Sequence, residues 1–284
     1  MKIFVDSADL NEIKQAFEWG IANGVTTNPS LIKKAVDKLK SRGNEINELH
    51  LQEYINQILL SAKGNPVSLE VTETTAAGML QEALQLYLMF KEYGNVNIKI
   101  PINPAFKDED TTHFDGIKVI KALAEKKIPT NCTLVFTPEQ ALLAAKAGAT
   151  FVSPFAGRID DDLRKGSEFN KKAYFPAQGN GKDDGGIVSG VDLVKKCVEI
   201  IRKHNLKTEV LAASLRNVRQ VRETALAGAD IATLPFEVIR DMLKHHQTYE
   251  GMAKFTADIV PEYKAMMGDK THLLIDKIDD LTKE

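Results

Sequence analysis

Cysteine is nearly absent from this sequence: Cys132 and Cys197 are its only two. They form no metal-binding or redox spacing, which excludes a zinc ribbon and a disulfide scaffold and makes a reducing, cytoplasmic setting the expected one. An excess of either charge is missing too. With 37 Lys and Arg against 39 Asp and Glu, the net charge is −2 and the pI about 6.3. That balance lacks the basic bias of a nucleic-acid binder, so no such partner is expected. No apolar run reaches the length of a membrane span, and no membrane partner is expected. The opening "MKIFVDSADL" is interrupted by Asp6 and Asp9 and lacks the apolar core of a signal peptide. No G-x-G-x-x-G follows a strand pattern, which lowers a dinucleotide-binding reading. The glycine-rich "GNGKDDGG" (179–186) has neither the spacing nor the Gly-Lys-Ser/Thr ending of a phosphate loop. His50, His113, His204 and His272 are scattered, and His245 and His246 are expected on different sides of a helix. No H-x-x-x-H occurs, so neither a metal nor a cofactor is implied.

What is present is ordinary for a globular chain: 43% hydrophobic and 27% charged residues over 284 positions. The length suits one large α/β barrel or two small domains. Strand and helix patterns alternate. Strands are expected at 2–6, 24–27, 67–71, 95–101, 131–136, 150–155, 209–214 and 230–235, each followed by an amphipathic helix. Residues 156–190 look irregular, "SRGNE" reads as a loop, and "FEVI" and "LLIDKIDDL" read as packing stripes. Eight such repeats predict an α/β fold, a closed (β/α)8 barrel forming a single domain over 1–284, with additional C-terminal helices from about 248. A doubly wound open sheet is the alternative.

"NVNIKIP" (95–101) carries an oddity. Val96, Ile98 and Ile100 alternate along one face, which leaves Asn97 and Lys99 on the other. In a barrel, active-site groups come from the carboxyl ends of the strands and the loops behind them. Those positions hold Asp6; Thr26, Thr27 and Asn28; Ser68, Glu70 and Thr72; Lys99; Asn131 and Thr133; Ser153, Phe155 and Arg158; Ser214 and Arg216. Two carboxylates and a lysine thus converge. Burial favours a neutral amine, which is nucleophilic towards carbonyls, so Lys99 reads as a Schiff-base lysine. Each group also has a purely structural reading. Lys99 would serve as an ion-pair partner of Asp6 or Glu70, Asp6 and Asn28 as helix caps, and Arg158 and Arg216 as solvated charges rather than an anion site.

Seven blocks, in order, resemble the transaldolase family with its fructose 6-phosphate aldolase-like members: "FVDSADLNEIK", "GVTTNPSLI", "LEVT", "IKIP", "TNCTLVFTPEQALLAAKAGATFVSPFAGRID", "VLAASLRN" and "LAGADIATLP". The resemblance implies a (β/α)8 barrel and sugar-phosphate substrates without a cofactor. It implies Lys99 as the Schiff-base lysine, Asp6 as the acid/base at the C4 hydroxyl, and Glu70 with Thr133 as holders of a catalytic water. It implies Asn28, Asn131 and Ser153, beside Phe155, as contacts to the three-carbon unit, and Arg158, Ser214 and Arg216 as phosphate contacts. Aldolase members have Gln and Tyr where this chain has Glu70 and Phe155, so the resemblance favours a transaldolase of the pentose phosphate pathway over an aldolase releasing free dihydroxyacetone. A non-catalytic sugar-phosphate sensor would have no use for the lysine. Segments 40–50, 102–113 and 158–187 are longer than in short family members, and the 158–187 loop suits a lid or a contact in a homo-oligomer, the expected assembly.

Overall fold

The computed structural model describes residues 1–41, 47–165, 178–179 and 181–267. Most of "SRGNE", residues 166–177 of the long loop, Asn180, His272 and the "LLIDKIDDL" stripe lie outside the described residues. The chain parts into two compact units, Met1–Ile239 and Arg240–Glu284.

The first unit alternates strand with helix, with two helices in succession after the second and sixth strands. Its elements begin β1 (Lys2–Asp6), α1 (Leu10–Glu18), β2 (Ala22–Thr26), α2 (Pro29–Lys40), α3 (Glu48–Ser61), β3 (Pro66–Glu70), α4 (Ala76–Phe90) and β4 (Asn95–Pro101). They continue with α5 (Asp115–Glu125), β5 (Thr130–Val135), α6 (Pro138–Ala147), β6 (Phe151–Pro154), α7 (Ala156–Leu163), α8 (Gly190–Lys203), β7 (Glu209–Ala212), α9 (Val218–Leu226), β8 (Ile231–Leu234) and α10 (Phe236–Asp241). The eight strands are parallel, pair in chain order, and close where β8 meets β1. This is the expected (β/α)8 barrel, followed by C-terminal helices. In the second unit α11 (His246–Ala257) and α12 (Pro261–Met267) present no buried residue. His245 caps α11, and its ring stacks on that of His246 at 4.6 Å instead of diverging from it.

Two differences from the sequence pattern have local causes. Residues 156–163 are helical, because Ala156, Ile159, Asp160 and Leu163 recur at helical spacing and are all buried. The seventh strand stops at Ala212 rather than Ser214: beyond it only Ala213 bridges to Phe155, and Ser214 turns to a left-handed φ of +62°.

Strand alternation divides the core in two. Val5, Val25, Val67, Ile98, Cys132, Val152, Val210 and Leu234 point outward and pack beneath the helices. Inside the barrel, Phe4, Phe151, Leu211, Ala213 and Ile231 form a small apolar plug, with Phe4 edge-on to Phe151 at 5.9 Å. Gly24 makes room for it, since a Cβ there would stand 2.6 Å from the Phe4 ring.

Gly157 performs a similar service at the barrel mouth, where any Cβ would overlap the Ser214 carbonyl oxygen. Gly157→Ala is therefore expected to lower stability by about 1–3 kcal/mol. Urea unfolding midpoints test this, and an unchanged midpoint would show that the α7 start is free to shift.

Candidate active site

The inward positions above the apolar plug are polar. Register pairs Ser68 with Asn97, Glu70 with Lys99, and Lys99 with Asn131 across β3, β4 and β5. These residues share one interior because residues two apart on a strand face the same way. A cavity of about 560 Å³ opens at the carboxyl ends of the strands. Asp6, Asn28, Glu70, Lys99, Asn131, Ser153, Phe155, Arg158, Ser214 and Arg216 all line it. Of the residues given a role by the family resemblance, only Thr133 does not. Its hydroxyl is fully buried and has no hydrogen-bond partner among the described residues.

At the centre, Lys99 is 5% exposed. Its Nζ stands 3.0 Å from Glu70 Oε2 and donates to the Thr27 carbonyl at 3.3 Å. The ion-pair reading of Lys99 is met with Glu70 as the partner, inside the cavity that both residues line. Asp6 faces the cavity rather than capping α1; Asp9 does that, accepting from the Asn11 and Glu12 backbone. The Asp6 carboxylate accepts from Thr26 Oγ1 at 2.7 Å, and Thr26 in turn lies 2.6 Å from Thr233 Oγ1. With the Thr26 proton given to Asp6, Thr233 is the donor in that second contact. Burial holds the Asp6 carboxyl above the usual carboxylate range; the Thr26 hydrogen bond and the charges of Lys99 and Arg216 act against it. Ser153 donates to Asn131 Oδ1 at 2.6 Å and Asn131 Nδ2 donates to Ser68 Oγ at 3.1 Å, which leaves each side chain in one orientation. Asn28 does two things: it lines the cavity and caps α2 by accepting from Leu31 N at 3.0 Å.

The cations stand at the mouth. Arg158, in the first turn of α7, lies over the Phe155 ring at 5.2 Å. Arg216 is paired with Asp161 at 2.9 Å. A buried support holds this side: Gly190 N donates to Asp160, Asp160 accepts from Gln220 Nε2 at 2.5 Å, and Gln220 Oε1 accepts from Arg216 N at 2.7 Å. Leu134 and Ser214 both line the cavity with left-handed φ, +58° and +62°, the kind of backbone strain that collects at functional sites.

Thr233, Leu134, Ser30 and Lys34 also line the cavity and had not been singled out from the sequence. Thr233 follows from the same alternation applied to "DIATLP". The Asp161–Arg216 and Asp160–Gln220 contacts have no local signal, because their partners are distant in the chain.

A closed parallel barrel thus gathers a lysine, two carboxylates and two arginines around one cavity at its strand ends, where barrel enzymes place their active sites. Residues 3–283 match the family described as Transaldolase/Fructose-6-phosphate aldolase. A probable transaldolase of Caldicellulosiruptor saccharolyticus is 42% identical over 259 residues, covering 91% of this chain and 96% of that protein. Similar proteins of the same description come from Thermoplasma acidophilum (39% over 258 residues; 91% and 95% covered) and Geobacillus kaustophilus (41% over 258; 91% and 98%). The chain belongs to the transaldolase/fructose-6-phosphate aldolase family and is an enzyme of that kind.

The raised Asp6 carboxyl has a consequence for stability. Between the carboxyl's unfolded titration near pH 4 and its higher folded one, the native state keeps a proton that the unfolded chain has released, so stability falls as pH rises through that window. Asp6→Asn lacks this titration. It is expected to be more stable than the parent at pH 7, with the difference closing towards pH 4. Urea midpoints at both pH values measure it; a variant less stable at pH 7 would mean that the ionised carboxylate is favoured by its surroundings.

Proposed function

We propose that this enzyme is a transaldolase. It transfers a dihydroxyacetone unit from fructose 6-phosphate or sedoheptulose 7-phosphate to erythrose 4-phosphate or glyceraldehyde 3-phosphate through a Schiff base on Lys99. The observation that carries the reading is one buried amine, 3.0 Å from Glu70, in a cavity that Asp6 also lines. The names of the relatives support the same reading.

The Lys99 amine attacks the C2 carbonyl of the ketose, and the carbinolamine loses water to give an iminium. Glu70, with a water shared with the buried Thr133 hydroxyl, carries the protons of that step. The iminium is an electron sink. As Asp6 takes the C4 hydroxyl proton, the C3–C4 bond electrons flow towards nitrogen, an aldehyde phosphate departs, and an enamine stays on Lys99. The enamine C3 then attacks the carbonyl carbon of the acceptor, Asp6 returns the proton to the new alkoxide, and water hydrolyses the new iminium to free the product ketose. A carboxyl held above its usual range suits this alternation between base and acid. Asn28, Asn131 and Ser153 hold the hydroxyls of the three-carbon unit. Arg158, Arg216 and Ser214 hold the phosphate, with bidentate guanidinium geometry suited to it.

Phe155 supports transfer over release. Its ring packs edge-on against Phe136 at 5.7 Å and carries no hydroxyl with which to protonate the enamine. The reading brings with it the pentose phosphate pathway, a cytoplasmic setting, a homo-oligomer, and one barrel domain to which the C-terminal helices are an extension.

Glyceraldehyde 3-phosphate release from fructose 6-phosphate is expected to depend on added erythrose 4-phosphate; equal release without it would identify an aldolase. Lys99→Ala is expected to lose about three orders of magnitude or more in turnover. Borohydride with fructose 6-phosphate should fix a three-carbon adduct on the parent and none on the variant. Turnover retained in Lys99→Ala would end the Schiff-base assignment.

A further inference from the structure

Helix α2 carries four lysines, and their surroundings differ. Lys33 pairs with Asp37 at 2.9 Å, and Lys38 pairs with Asp9. Lys34 forms no ion pair among the described residues, is exposed, and lines the cavity together with Ser30, one helical turn before it. In the barrel order β2 lies four strands from β6 in either direction, so the helix after β2 starts across the mouth from the first turn of α7, which carries Arg158. The cavity is thus bordered by cations on opposite sides. Those on the β6–β7 side are already engaged, Arg216 by Asp161 and Arg158 by the Phe155 ring. The one from α2 is held by no carboxylate.

We propose that Lys34, with the Ser30 hydroxyl, is a second contact for the phosphomonoester of the substrate, completing from α2 the anion site begun by Arg158 and Arg216. The proposal rests on the transaldolase reading, in which the reacting carbon is fixed at Lys99 while the chain from it to the phosphate varies by one or more carbons between ligands. Two guanidinium groups held by neighbours suit one phosphate position. An ammonium on a four-carbon stem follows the phosphate as that position moves. A phosphomonoester offers close to two negative charges and three acceptor oxygens, enough for donors on both sides. Lys34 binds ground state and transition state alike, so its effect falls on KM rather than kcat.

The test compares erythrose 4-phosphate with unphosphorylated erythrose as acceptors, fructose 6-phosphate being the donor, in parent, Lys34→Gln and Lys33→Gln enzymes. The parent's preference in kcat/KM for the phosphorylated acceptor is expected to fall about three- to fivefold in Lys34→Gln, the range of one exposed charged contact. Its salt dependence should fall with it. Lys33→Gln removes the same charge one residue away, outside the cavity lining, and is expected to keep the parent's preference. An unchanged preference in Lys34→Gln, or an equal fall in both variants, overturns the proposal: the first makes Lys34 a solvated rim residue, the second makes the effect one of net charge. A parent with no preference for the phosphorylated acceptor overturns the proposal and the sugar-phosphate reading together, whereas a parent that prefers it and a Lys34→Gln variant that does the same removes Lys34 alone.

Discussion

The Lys99–Glu70 pair is the constraint around which the barrel interior is arranged. The two side chains are 7% and 15% exposed, and their charged atoms are 3.0 Å apart. Desolvating an ion costs several kcal/mol, and attraction between partners offsets this only when the geometry is good and the remaining donors are used. The parallel register of β3 and β4 sets the two residues side by side, and the Thr27 carbonyl accepts a further hydrogen bond from Lys99 Nζ. Removing either partner would leave the other charge buried alone. The pair thus demands polar neighbours, and the strands supply them at every second position: Thr26, Ser68, Asn131, Ser153 and Thr233, all buried.

That demand explains why the barrel has two cores of unequal size. A polar interior contributes little hydrophobic stabilisation, so cohesion falls to the outward strand faces and the helices packed on them. Within the barrel only the plug of Phe4, Phe151, Leu211, Ala213 and Ile231 is apolar. The mouth is organised differently again. There the charges are exposed, and they are held in place less by burial than by Asp161 and by the Asp160–Gln220 support beneath. A buried, hydrogen-bonded centre and an exposed charged rim therefore divide the cavity between them.

Most of this was legible in the sequence wherever the signal has a short period. Alternation in "NVNIKIP" and "VSLEV" identifies the inward residues without any knowledge of the partner strand, and eight repeats of strand and helix are enough to close the barrel. Contacts between distant residues were not legible. Nothing near Thr26 announces that Thr233 will stand 2.6 Å away, and nothing near Arg216 announces Asp161. The helix at 156–163 was obscured by the glycine- and aspartate-rich stretch after it, although its four buried residues have helical spacing. Alternation is also silent on depth: it turns Thr133 inward, yet leaves it behind the cavity wall.

A residue's structural contact and its place at the cavity, which compete when only the sequence is considered, are compatible in the fold. Asn28 caps α2, and because that cap sits where a strand ends and a helix begins, it necessarily borders the barrel mouth. Asp6 is available to the cavity because Asp9, three residues on, takes the capping task at α1. Lys99 is an ion-pair partner, and it is the pairing that makes a buried amine tolerable at all. In each case the stabilising contact is the condition under which a polar group stays buried at the strand ends with a fixed direction. A residue freed from its structural partner would be lost to solvent or would collapse onto another neighbour, and its chemistry would go with it. The local order of caps, pairs and alternating faces is therefore what builds the site, one strand end at a time.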